Sequence, residues 1–254
     1  MRIKRFPRIG VAAAMLAALP LPCHAFKTLS SFDVEFSGCV ESIGVGLVST
    51  ASVPVLPAGF QLVGQGQPMT PIVVRTSRCE EITVDGQRSK GGSIVQIGVV
   101  IVPPEPGAFI DTYGLWYYTS DAKLAHQLQK AGINAQHVPT LDYDYAASPS
   151  PSQPLSVTVR KPGDPTLSLT GTVTPSPGPP DLFIANWWSQ GTGGVVKMTT
   201  TVPSINTGGA SLLLSTDPDS ALGQLLGGSS AGFVILQQFN SFPAANMHVL
   251  TTAP

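Results

Sequence analysis

Charge is what this chain has least of. Only 11% of its 254 residues are Asp, Glu, Lys or Arg, against about 25% in an ordinary soluble domain. Arg2, Lys4, Arg5 and Arg8 take four of the fourteen basic residues, while none of the fifteen acidic ones lies in that N-terminal stretch. The remainder has ten basic against fifteen acidic side chains, a net charge of −5. No basic stripe is left to neutralise a phosphate backbone, which excludes a nucleic-acid partner. Long apolar runs are missing as well. VAAAMLAALPLP at 11–22 falls short of the roughly 20 residues of a membrane span, and no later stretch reaches that length.

Histidine and cysteine are equally sparse. Beyond the N-terminus the histidines are His126, His137 and His248, with no pair at metal-ligand spacing, so no metal site is expected. Nothing in the chain calls for a cofactor. Three cysteines occur, Cys23, Cys39 and Cys79, and their spacing fits neither a redox motif nor a zinc ligand set.

What is present at the N-terminus is a processing signal. The basic start, the apolar centre and Cys23-His24-Ala25 read as a signal peptide over 1–25, leaving 26–254 as a single secreted β-rich domain, secreted or periplasmic. Lipidation at Cys23 is the alternative, but Pro20 and Pro22 crowd positions where small residues are wanted. Export leaves Cys39 and Cys79 as a pair in an oxidising compartment, where a disulfide is the default. Closing a loop of about 40 residues contributes roughly 3–4 kcal/mol in the chain-entropy model.

Gly, Pro, Ser and Thr are abundant, and β-branched runs alternate with turns. DVEFSGCV at 33–40 reads as a first strand, GVGLVSTASVPVLPAGF as loop, and PIVVRTSRCEEITV as one or two strands. SIVQIGVVIV at 93–102, stopped by Pro103-Pro104, reads as a strand buried on both faces. A helix follows the aromatic strand at 111–120, capped by Ser120, with Asp121 at its positive end, Leu124, Leu128 and Ala131 on one face, and Gly132 as its stop. A second has Asp217 as cap, Pro218 in the first turn, Leu222, Leu225 and Leu226 as its apolar face, and Gly227-Gly228 as its end. About ten strands and two short helices predict a β-dominated α+β domain built as a curved sheet or β-barrel.

Few residues carry chemistry. GSSAG at 228–232 places Ser230 in a G-x-S-x-G pattern, but a helix precedes it and no acid follows Asp219, so it reads as a turn rather than a nucleophile elbow. In VVKM, alternation puts Val195, Lys197 and Thr199 on one face and Val196, Met198 and Thr200 on the other. An inward Lys197 would have a depressed pKa and a free amine for Schiff-base chemistry; an outward one is the wet face of a strand. Trp187 and Trp188 are adjacent and face opposite ways, so Trp187, with Trp116, is a candidate pocket wall. His137 is a candidate at the pocket mouth.

The order of VPVLPAGF, PIVVRTSRCEEITV, SIVQIGVVIVPP, LWYYTSDAKLAHQLQKAGINAQHVPTL and NWW with VVKM resembles the acetoacetate decarboxylase superfamily over about two-thirds of the chain. That resemblance implies a curved β-barrel around a small internal cavity. The family's decarboxylases carry a catalytic lysine beside a second one after the helix and glycine turn. The corresponding stretch, Gly132 to His137, has no lysine, and Glu80-Glu81 is on another element than the family's glutamate pair.

The expectation is an exported pocket protein for a small apolar carbonyl or carboxylate compound, with Lys197 and His137 as candidate catalytic groups if there is conversion. The alternative is a non-catalytic extracellular module that holds carbohydrate or a protein partner on exposed aromatics. The oligomeric state is not readable.

Overall fold

The computed structural model describes residues 28–147, 150–161, 166–176, 178–191 and 193–253. The expected signal peptide, 1–25, lies outside them. The chain runs through β1 (Thr28–Ser49), a short 3-10 turn, β2 (Met69–Val84), β3 (Gln87–Val100), β4 (Ile110–Thr119), α1 (Ala122–Lys130), β5 (Ala135–His137), β6 (Asp142–Asp144) and β7 (Gln153–Val159). It continues through β8 (Leu167–Thr174), β9 (Asp181–Gly191), β10 (Gly194–Thr216), α2 (Ala221–Leu226), β11 (Ser230–Gly232) and β12 (Leu236–Thr252). All twelve strands belong to one sheet, in the order β12-β1-β2-β3-β4-β9-β10-β8-β7-β6, with β5 on β4 and β11 on β10. The β-dominated α+β reading with two short helices holds.

The sheet curves back on itself. The first half of β10 pairs with β9 on one side and with β12 on the other, so β12, β1, β2, β3, β4, β9 and β10 form a continuous hydrogen-bonded ring. Closure removes the open edges that a strand would otherwise present to solvent or to other chains. Inner-facing residues of the ring form one apolar cluster that includes Val34, Ile43, Val73, Trp187, Met198 and Val249. α1 sends Leu124 and Leu128 into the same cluster. Beyond the ring, β10 continues at 209–216 against β8, and β8, β7 and β6 fold over the outer face, where Leu155, Val157 and Leu169 pack with Val74, Val95 and Ile97. Arg78 ties this flap down by donating from Nη1 and Nη2 to the carbonyls of Tyr143 and Tyr145, both at 3.0 Å.

Three local expectations change. β1 runs for 22 residues, well past 33–40, because its glycines are packing positions rather than loop: a Cβ on Gly44 would meet the Phe233 ring at 2.5 Å. Asp121, not Ser120, caps α1, accepting from Leu124 N at 2.8 Å, while Ser120 Oγ accepts from Ser93 N. Ser220, not Asp217, caps α2, accepting from Gly223 N at 2.9 Å. In each helix the capping side chain sits immediately before the first helical residue, where its oxygen reaches a first-turn N–H. The buried strand expected at 93–102 is found within β3, with every residue from Ser93 to Val99 buried because the flap covers the face that would otherwise be wet; β3 ends at Val100, and Val102 is 45% exposed.

Candidate ligand cavity

Strand register stacks the inner residues in layers. Val45 lies opposite Val73 on one side and Leu236 on the other, Ile43 opposite Arg75 and Gln238, and Glu41 opposite Ser77 and Asn240. Arg75 in turn faces Gln96, which faces Tyr117. Since side chains along a strand alternate between faces, these residues all project into the ring. Cys39 and Cys79, one layer deeper on β1 and β2, are directly opposed with Cα atoms 4.1 Å apart and form the disulfide.

A cavity of about 370 Å³ opens on the upper layers, within the range of small-molecule sites. Its deep wall is Arg75, Val73, Ile43, Ala185, Trp187 and Ile205, all buried. Its mouth is apolar and open: Phe109, Leu182 and Leu236 are 68%, 52% and 37% exposed. Phe109 stacks on Phe183 there, ring centroids 6.0 Å apart. Trp187 reaches this wall because β3 has no side chain in its path. A Cβ on Gly98 would stand 3.0 Å from Trp187 Cζ3 and 2.3 Å from the Tyr113 carbonyl.

Among the described residues, Arg75 is the only cationic one that lines the cavity. Its Nε donates to Glu41 Oε2 at 2.5 Å and its Nη1 to Gln96 Oε1 at 2.7 Å. Glu41, 1% exposed, also accepts from Asn240 Nδ2 at 3.1 Å. Both Glu41 oxygens are therefore engaged, whereas Arg75 Nη2 has no hydrogen-bond acceptor among the described residues. Around this pair, Gln96 Nε2, Tyr117 OH and Asn240 Oδ1 are buried without a partner, an unusual concentration of unmet polar atoms in one interior. Burial holds the Tyr117 phenol well above its ordinary range; the neighbouring Arg75 charge opposes this and Asp121 reinforces it.

The candidates read from the sequence take different places in the fold. Trp187 lines the cavity. Lys197 does not: β10 gives Val196, Met198 and Thr200 the buried inner positions, so Lys197 projects outward, donating from Nζ to Glu105 Oε2 at 2.6 Å and lying 5.1 Å from the Trp188 ring centroid. Trp116 is half-buried and packs on the outer cluster, and it meets Trp187 at a separate small pocket of about 30 Å³. His137 is exposed at the end of β5, its Nε2 3.2 Å from the Ser120 carbonyl. Ser230 is exposed on β11. Among the described residues no group of histidine, cysteine and acidic side chains could hold a metal ion, and no helix is long and apolar enough to cross a membrane.

Glu41, Arg75, Gln96 and Asn240 were not singled out from the sequence, where each is one polar residue in a strand. A signal did exist. An antiparallel cross-strand disulfide between Cys39 and Cys79 sets the register of β1 on β2, and that register puts Arg75 opposite Ile43 and diagonal to Glu41, within side-chain reach.

No protein-family model matches the chain, and no curated protein matches it. Solved structures do resemble its course. The enduracididine biosynthesis enzyme MppR with HEPES buffer bound is 11% identical, with 95% of this chain and 94% of that one covered and a TM-score of 0.49. An acetoacetate decarboxylase-like enzyme from Sphingomonas wittichii RW1 is also 11% identical, with 95% and 99% covered and a TM-score of 0.49. MppR complexed with the condensation product of pyruvate and imidazole 4-carboxaldehyde is 12% identical, with 95% and 96% covered and a TM-score of 0.46. These are likenesses of chain course at low identity; the residues of the cavity carry the functional reading.

Proposed function

We propose that residues 26–254 form a single exported domain that holds one small apolar molecule in the ring cavity, with its carbonyl or carboxylate group at Arg75 and its apolar part running towards Phe109 and Leu182. The observation that carries this reading is the pairing of an apolar, open-mouthed cavity of about 370 Å³ with Arg75, the one cationic side chain among its described lining residues, whose Nη2 has no hydrogen-bond acceptor among the described residues. Pockets of this size with few convergent polar groups are the usual form of a small-molecule site.

Calorimetric titration with straight-chain ketones and carboxylic acids tests it. Affinity should rise roughly fourfold per methylene as each one leaves water for the cavity wall, and Arg75→Met should remove most binding of the shortest members. Absence of binding by every member of both series would refute the proposal.

The reading is of a binding protein. Among the described residues no lysine lines the cavity, so none of them offers an amine there for an iminium intermediate. Borohydride treatment in the presence of a bound ketone should leave Lys197 unmodified, and an adduct on Lys197 would instead make it a catalytic amine. Export is supported by the N-terminal sequence pattern and by the Cys39–Cys79 disulfide. N-terminal sequencing of the protein recovered from its native cells should start near Phe26. The carbohydrate-binding alternative would not use Trp187 or Trp188 as an outward platform, since they are 3% and 4% exposed.

A further inference from the structure

The polar end of the cavity is a compensated charge, and this bears on which head group it accepts. Arg75 would ordinarily mark a carboxylate site, because guanidinium binds carboxylate as a bidentate pair. Here that role is already taken from within the protein. Glu41 holds Nε at 2.5 Å and is itself 1% exposed, so the ion pair is internal and neutral as a unit. The only other ionisable lining residue among those described is Asp181, at the exposed mouth, which adds negative charge along the way in. An incoming carboxylate would give up its water in an apolar cavity, meet a cation already paired, and bring a second negative charge towards Glu41. Burying a charge without its own counter-charge is strongly unfavourable. A neutral carbonyl oxygen needs only a donor, and Arg75 Nη2 is a charged donor with no acceptor of its own among the described residues.

We infer that the cavity selects neutral carbonyl compounds with an apolar tail, ketones, aldehydes or esters, over carboxylates of the same shape, and that Glu41 sets this selectivity by occupying Arg75. The inference rests on the cavity being the ligand site and narrows its substrate class. Glu41 acts here as a specificity-determining residue through Arg75 and does not itself touch the ligand.

The test compares methyl hexyl ketone with heptanoate, which differ only in a methyl group against a carboxylate oxygen, by calorimetry at neutral pH on the intact protein and on Glu41→Gln. The variant keeps the shape of Glu41 and removes its charge. The ketone should bind the unmodified protein about tenfold or more tighter than heptanoate. In Glu41→Gln the ratio should move at least about tenfold towards heptanoate, because the freed guanidinium then finds its counter-charge in the ligand. Equal or tighter binding of heptanoate by the unmodified protein would overturn the inference while leaving the cavity as the ligand site. A ratio unchanged in a folded Glu41→Gln would overturn the role of Glu41. Failure of both probes to bind would remove the cavity reading itself. The comparison on the unmodified protein stands even if the variant does not fold.

Discussion

Removing one member of the Arg75–Glu41 pair should cost far more than removing both. Arg75→Met leaves Glu41 with Asn240 as its one remaining partner at 1% exposure, an uncompensated charge in the ring interior. Breaking a buried pair in this way costs about 3–5 kcal/mol. For a domain of this size that corresponds to a fall in Tm of about 6–20 °C. Glu41→Leu should fall at the low end of the range, because Arg75 lines a cavity open to solvent at its mouth and keeps its bond to Gln96. The double variant replaces the pair with apolar side chains of similar volume, and such exchanges are often neutral or stabilising. Chemical denaturation of all four proteins gives the coupling energy directly, and a value of about 3 kcal/mol or more is expected. If the double variant instead loses the sum of the two single losses, the pair is solvated in the native protein. The charge-compensation reasoning then fails with it.

Gly98→Ala should loosen the cavity wall. Its methyl would stand 2.3 Å from the Tyr113 carbonyl and 3.0 Å from Trp187, so the variant should lose about 1–3 kcal/mol from overpacking, with a change in near-ultraviolet circular dichroism that an inert surface substitution would not produce. Reduction of Cys39–Cys79, which are 40 residues apart in sequence, should cost about 4 kcal/mol in the chain-entropy model; an unchanged Tm after verified thiol release would count against a structural role. The phenols of Tyr117 and Tyr143 are raised, chiefly by burial. A raised folded-state pKa contributes stability that is complete below the unfolded value of about 10 and is lost as pH climbs through the folded one. Alkaline titration should therefore show these phenolates appearing together with unfolding. Full tyrosine ionisation with an unchanged circular dichroism spectrum would contradict their burial.

Much of the local structure was legible because it depends on near neighbours in the chain. The α1 stretch carries its stop and apolar face in adjacent residues, and β3 declares itself as an apolar run. The differences have two physical origins, distant packing and local backbone geometry. Gly44 and Gly46 look like loop until Phe233, nearly two hundred residues away, is seen packed against them. The two helix caps were each misplaced because several polar residues precede each helix, and backbone geometry selects among them. The buried ion pair was the least legible. Glu41 and Arg75 are 34 residues apart, and neither belongs to a motif.

Lys197 shows where the boundary lies. Alternation alone separated Val196 and Met198 from Lys197, since consecutive side chains on a strand must point to opposite faces. Which of those faces is the interior was undecided until β10 paired with both β9 and β12. Sequence by itself determined the β-dominated class, the turn chemistry and the pairing of side chains into faces, all properties of a residue and its neighbours. The tertiary structure decided that the ring closes, that Lys197 is outside it with Glu105, and that a buried ion pair stands at the head of an apolar cavity. Those are properties of register between distant strands, which no local pattern encodes.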